Sequence, residues 1–164
     1  VNIHDTPNAE QLANIATGIA NTVKNLGYKP RVALLSFSNF GSLSRPSSEN
    51  LKQAVKILDA RKVDFEFDGE MTPEVALDYD LIKQNYPFCR LSGPANVLIM
   101  PSLLAANISF KLLQKIGNGS VLGPLMIGGE KPFQIVQMGS SVSDIVNSAS
   151  ISAYNALYTK YDTI

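Results

Sequence analysis

RLSGPANVLIMPSLLAANISFKLLQ, residues 90–114, holds in one piece a loop closing on Gly93-Pro94, a short apolar run at Val97–Met100, a stop at Pro101 and a helical pattern carrying a polar Asn107. Four apolar residues between turn signals read as a strand covered on both faces, and Leu104, Ile108 and Leu112 then repeat at helical spacing until Gly117. The same strand-to-helix grammar recurs upstream. Asn8 reads as an N-cap with Gln11 at the third helical position, opening an amphipathic helix through Leu12, Ile15, Ile19, Val23 and Leu26 that Gly27 ends. Arg31 to Phe37 (RVALLSF) is a second buried strand, Ser38 to Ser48 a loop, and the following helix buries Leu51, Ala54, Val55 and Leu58. Val63 to Phe67 alternates as a strand, Asp68-Gly69-Glu70 reads as a turn, and Thr72-Pro73 caps a helix running to about Asn85. Downstream, the apolar runs Val121–Ile127 and Phe133–Val136 either pair as a hairpin or join different parts of a sheet. The last helix is expected over Val142 to Tyr158, with Ser141 and Asp144 as a capping box and Val142, Ile145, Val146, Ala149 and Ala153 buried.

Strands alternating with helices predict an α/β fold, a mainly parallel sheet flanked by helices, with ligands outside the carboxyl ends of the strands. Four segments then matter: Ser38–Ser42, Asp68–Thr72, Pro101–Asn107 and Gln137–Asp144. The chain of 164 residues, 45% hydrophobic and 17% charged, is long enough for one ordinary core. Its formal net charge is zero and its basic residues are scattered, which argues against nucleic acid as a partner. No apolar run approaches the roughly 20 residues of a membrane helix, and no signal peptide is recognisable, so a cytoplasmic, non-membrane location is expected. Cys89 is the single cysteine and His4 the single histidine, which leaves neither an internal disulfide nor a metal cluster to build. The first residues, VNIHDTP, read as the interior of a longer sequence.

Ser38-Asn39-Phe40-Gly41-Ser42 offers hydroxyls, an amide and glycine backbone that could meet phosphate or pantetheine groups, or simply connect two elements. It lacks the glycine spacing of the dinucleotide and P-loop cradles. Asn107 lies inside a helix, where its amide needs a partner, either neighbouring backbone or a ligand. Gly139, Ser140 and Ser141 leave backbone N–H groups at a helix start, suited to an anionic or carbonyl-bearing ligand.

Taken together, residues 90–114, Leu35–Ser42 (LSFSNFGS), Asp68-Gly69-Glu70 and Gln137–Val146 (QMGSSVSDIV) resemble the carboxyl-terminal half of phosphate acetyltransferases. The similarity is closer still to the acetyltransferase-like domain behind the catalytic part of bacterial NADP-dependent malic enzymes. It implies a three-layer α/β/α fold, residues 1–132 forming a second α/β subdomain and 133–164 a strand and terminal helix returning to the first. In the family the last segment resembles SRGxSxxDIV, whose Arg holds the phosphoryl group, whose Ser assists, and whose Asp is proposed to help deprotonate the coenzyme A thiol. Here Gln137 and Met138 replace the Ser-Arg pair, and Thr72 and Glu74 replace the residues that follow the family's DGE. Methionine supplies neither the charge nor the donor fork of arginine, so no catalytic residue is expected.

The resemblance therefore implies a regulatory domain sensing acetyl-coenzyme A through Ser38, Asn39, Gly41, Ser42, Asn107, Met138, Gly139, Ser140 and Asp144. Its partners would be acetyl-coenzyme A or coenzyme A, its own malic-enzyme catalytic domain and further copies in at least a homodimer. NADP and a divalent Mg or Mn would belong to the upstream part of the parent, with no cofactor in this domain. An active phosphate acetyltransferase and a purely structural assembly module are the alternatives.

Overall fold

The computed structural model describes residues 4–43, 46–117, 121–127, 129 and 131–158. They divide into two compact units, 3–109 and 110–164, the latter grouped with residues 1–2. In the first unit, α1 (Ala9–Asn25), β1 (Arg31–Leu35), α2 (Pro46–Ala60), β2 (Glu66–Met71), α3 (Pro73–Leu77), α4 (Tyr79–Asn85) and β3 (Val97–Ile99) follow one another, and α5 (Leu103–Ile116) crosses the boundary. The described part of the second unit holds the end of α5, irregular backbone and α6 (Val142–Tyr158).

β1 lies between β2 and β3 in a parallel sheet, ordered β2-β1-β3. Alternation along β1 decides the layering. Val32 and Leu34 face a core filled by Leu12, Ala16 and Ala20 of α1 and by Leu51, Ala54 and Leu58 of α2. Ala33 and Leu35 face a second core with Val75 and Ala76 of α3 and Ile82 of α4. Because both faces are covered, every residue from Val32 to Leu35 is buried, as the continuous apolar run requires. The result is the parallel sheet flanked by helices that the sequence pattern predicts, in the three-layer α/β/α arrangement that the resemblance implies.

Helix starts follow their predicted chemistry. Asn8 and Gln11 form a reciprocal capping box, with both side-chain to backbone bonds at 2.9 Å. Gly27, at φ +86°, ends α1 in the left-handed region. Ser102, which the sequence reading did not single out, caps α5 by accepting the Ala105 N–H at 3.2 Å.

Four expectations need correction. Asp68-Gly69-Glu70 is not a turn: it lies inside β2, which starts at Glu66 rather than Val63, and Gly69 pairs with Leu34 of β1. The helix expected from Pro73 to Asn85 is two, since Asp78 leaves helical geometry and caps α4 by accepting the Leu81 N–H at 3.0 Å. Val121–Ile127 and Phe133–Val136 form no strand; instead the Gln134 side-chain amide bonds both the N–H and the carbonyl of Met126, at 2.8 and 3.1 Å. Of the linker between these runs, Gly128 and Glu130 lie outside the described residues, as does Gly119. The α6 face predicted to be buried is exposed at all five positions, Val142, Ile145, Val146, Ala149 and Ala153.

A salt link at the amino end of the sheet gives a test of the fold. Burial opposes ionisation of Glu66, but Lys29 and the Ser92 N–H and hydroxyl outweigh it and hold the carboxyl at about 2. Since the folded value lies below the unfolded one, this link stabilises fully above the usual Glu range and is lost as pH falls from there toward about 2. Urea unfolding of the wild type and Glu66→Gln is therefore expected to differ most near neutral pH and to converge at pH 2 to 3. A gap independent of pH would show that the link contributes nothing through charge.

Candidate ligand-binding site

The segment Ser36–Ser42 leaves the carboxyl end of β1, the edge at which parallel sheets of this kind meet their ligands. It is fastened to β2 by main-chain bonds, Ser36 N–H to Met71 O at 2.8 Å and Phe40 N–H to Glu70 O at 2.7 Å. Glu70 is wholly buried, and its Oε1 accepts the Gly41 N–H at 2.9 Å and the Ser38 hydroxyl at 3.2 Å. Asn39 Oδ1 accepts the Thr72 N–H at 2.7 Å, and Asn39 and Ser42 close a small turn on each other at 2.9 and 3.3 Å. The Phe40 ring anchors the segment against Tyr86 and Phe88, with centroids 5.1 and 4.9 Å away.

These bonds change the reading of the segment. The N–H groups of residues 39 to 42 are all spent inside the fold, so the backbone is a fixed scaffold and not an open anion cradle. What projects from it is side-chain chemistry. Asn39 uses only its carbonyl oxygen, leaving the amide NH2, and the Ser42 hydroxyl accepts without donating among the described residues. Gly41, at φ +84°, brings the backbone beneath Lys52 of α2, whose Nζ lies 3.5 Å from the point a Cβ would occupy.

The remaining predicted residues belong to other segments of the chain. Asn107 is exposed on α5 and its side chain bonds to no described residue, so of the two partners expected for it, neighbouring backbone does not serve. In the second unit, Gln137 to Ser140 form a turn in which the Ser140 N–H and hydroxyl both donate to the Gln137 carbonyl, at 3.1 and 2.8 Å. Gly139 supplies φ +87°, and Met138 at the tip is fully exposed. A cavity of about 190 Å³ opens beside this turn, lined by Gln114, Leu122, Pro124, Val136, Met138, Ser140, Asp144 and neighbouring residues.

Asp144 is the one ionisable side chain among the described residues lining that cavity. It closes the predicted capping box, accepting the Ser141 N–H at 3.0 Å and hydroxyl at 2.8 Å, and those bonds lower its pKa below the ordinary carboxylate value. A carboxylate stabilised in this way is a weak base near neutral pH, where proton abstraction works best with a group titrating close to the working pH. No group of three His, Cys, Asp or Glu side chains suited to a metal ion occurs among the described residues. Likewise, no helix among them is long and apolar enough to cross a membrane.

Contacts of Asp68 and Arg90 that their local sequence does not announce tie β2 to its surroundings. Asp68 is buried beside Arg90, accepting its N–H at 2.8 Å and its guanidinium at 3.2 Å, while Arg90 also reaches Asp59 at 2.5 Å and stacks on Phe67. Cys89 is half-buried and its thiol is pushed up to about 11, chiefly by burial, which makes it a poor nucleophile.

Residues 1–153 match the phosphate acetyl/butaryl transferase family, and the chain belongs to it. The NADP-dependent malic enzyme of Rhizobium meliloti is 54% identical over 94% of this chain, and the phosphate acetyltransferase of Treponema pallidum 39% identical over 90%. A solved phosphotransacetylase from Streptococcus pyogenes superposes with a TM-score of 0.88 at 33% identity over 95% of the chain. The chain spans only 20% of that malic enzyme, 45% of that acetyltransferase and 47% of the solved structure. It is thus a phosphate acetyltransferase-like domain of a kind found both in malic enzymes and in free-standing acetyltransferases.

Proposed function

We infer that this domain binds acetyl-coenzyme A without turning it over and regulates an NADP-dependent malic enzyme of which it forms part. The observation that carries this reading is Met138. At the turn where the resemblance implies an arginine stands an exposed thioether, and the cavity beside it is lined by no cation among the described residues. In acetyl transfer the phosphate that attacks or leaves the acetyl carbonyl needs charge-assisted donors, and losing one typically costs about 10²–10³ in rate. The lowered pKa of Asp144 points the same way, because it disfavours thiol deprotonation. The greater likeness to a malic enzyme than to the acetyltransferase quoted supports the fusion. Regulation would require acetyl-coenzyme A to bind two states of the parent with different affinity.

Calorimetric titration of the chain with acetyl-coenzyme A, with coenzyme A as control, tests the first half. Saturable binding that favours the acetylated form is expected, with no acetyl phosphate formed when phosphate is added. Enzyme-dependent acetyl phosphate, or a full-length parent whose malate oxidation ignores acetyl-coenzyme A, would overturn the reading.

A second reading, an assembly module, is favoured by one observation. Leu104, Leu112 and Ile116 on α5 and Val142, Ile145 and Val146 on α6 are all about half or more exposed. Apolar faces of this sort commonly meet another copy of the same chain. Sedimentation of the chain as a monomer at high concentration would count against it.

A further inference from the structure

Lysines on a helix usually face water or a nearby acid. Lys52 does neither completely: it is half-buried, folded over Gly41, and pairs with no carboxylate among the described residues. Glu49, one turn earlier on α2, is engaged instead by the Gln53 amide at 2.9 Å. Lys56, one turn later, is exposed and likewise pairs with no described carboxylate, so this ridge of α2 is basic. Among the described residues around Gly41, the Asn39 amide NH2 and the Ser42 hydroxyl hydrogen are further unspent donors. The orientation of the Asn39 amide is fixed, because its oxygen is held by the Thr72 N–H. One acid does lie below the segment. Glu70 is wholly buried there, however, with Gly41 and Ser38 donating to it from above, so the side that solvent reaches presents donors and a cation.

We propose that Asn39, Ser42 and Lys52 form an anion-binding subsite, at the carboxyl edge of the sheet, for a phosphate or diphosphate group. Three donors of different kinds, one charged, surround a glycine that lets a ligand oxygen approach the backbone closely. The rigid bonding beneath them means little ordering is needed on binding. A glycine is favoured at position 41 by its positive φ, and a Cβ there would meet the Lys52 head only at ordinary van der Waals distance, 3.5 Å from Nζ. The subsite deepens the coenzyme reading above, on which only the identity of the natural ligand rests. Coenzyme A carries a diphosphate and a ribose phosphate, and either has the required chemistry, as has free inorganic phosphate.

The test uses the 164-residue chain, ¹⁵N-labelled, titrated with inorganic pyrophosphate, orthophosphate and adenosine 3′,5′-bisphosphate. Saturable shifts of the Gly41 and Ser42 amides are expected, weakening with salt. Lys52→Gln should raise the dissociation constant at least about tenfold, the loss expected for one charge-assisted contact. Asn39→Asp is the sharper variant. It keeps the oxygen that holds Thr72 and replaces the free donor by a carboxylate, so it should abolish binding while leaving the melting temperature nearly unchanged. A preference for orthophosphate over the bisphosphate would identify a free-phosphate site, and the reverse a nucleotide-phosphate site. Shifts confined to other residues, or affinities indifferent to both variants, would overturn the proposal. Acetyl-coenzyme A binding that survives both variants would sink the subsite and leave the coenzyme reading standing, whereas pyrophosphate binding without acetyl-coenzyme A binding would do the opposite.

Discussion

Glu70→Ala is expected to destabilise the chain by about 3 kcal/mol and to release the Ser38–Ser42 segment from the sheet. Truncation strands two donors, the Gly41 N–H and the Ser38 hydroxyl, inside the fold, and a buried donor left unpaired costs about 1–3 kcal/mol. It also leaves a cavity under the segment, for which part of the cost is regained only if the neighbours collapse. One term opposes these: Glu70 Oε2 is buried without a partner among the described residues, and removing it relieves that desolvation. The two stranded donors outweigh one relieved acceptor. Glu70→Gln retains an oxygen for Gly41 and Ser38, so it is expected to lose under about 1 kcal/mol. Urea unfolding of the three proteins separates the cases, and equal losses for the two variants would refute the clamp. Pyrophosphate binding supplies a second readout, since Glu70 positions Asn39, Gly41 and Ser42 without facing the ligand itself. Glu70→Ala should weaken that binding, and Glu70→Gln should largely preserve it.

The elements of this fold were legible where short-range chemistry decides them. Asn8 with Gln11, Ser141 with Asp144, and the apolar run of β1 each specify their structure within a few residues, and each forms as expected. Reading failed where the deciding contact is remote. Asp68-Gly69 looks like a turn because both residues favour one, yet Asp68 is neutralised by Arg90, 22 residues on, and Gly69 is needed for the close approach of Leu34. Val121–Ile127 and Phe133–Val136 have strand composition, but a strand requires a partner's ladder, and the Gln134 amide takes the Met126 backbone instead. The apolar stripe of α6 predicts a covered face, and among the described residues of this chain it is exposed. The candidate site divides in the same way. Ser38, Asn39, Gly41 and Ser42 lie together in one fastened segment, whereas the roles of Lys52, and of Glu70 within the expected turn, come only from tertiary packing.

Gly69→Ala is expected to be among the most damaging single-methyl additions the chain can suffer, costing about 4 kcal/mol. A Cβ at this position would stand 2.8 Å from the Leu34 carbonyl oxygen and 2.9 Å from the Leu34 Cβ. Neither neighbour can yield easily, since Leu34 is wholly buried on the central strand and held between β2 and β3. The backbone adds a second cost, because Gly69 sits at φ +151°, a conformation that side chains bearing a Cβ rarely adopt. Strain of that kind and overpacking each contribute about 1–3 kcal/mol. Gly27→Ala is the matched control. It also places a side chain at positive φ, +86°, but meets nothing within 4 Å, so only conformational strain of about 1 kcal/mol remains. Thermal unfolding of the two variants therefore isolates the steric part, and similar melting temperatures would show that β2 can move away from β1 at little cost. Such movement would also carry Glu70, the next residue, away from the segment it fastens. Gly69→Ala is thus expected to impair pyrophosphate binding at a distance, whereas Gly27→Ala should leave it intact.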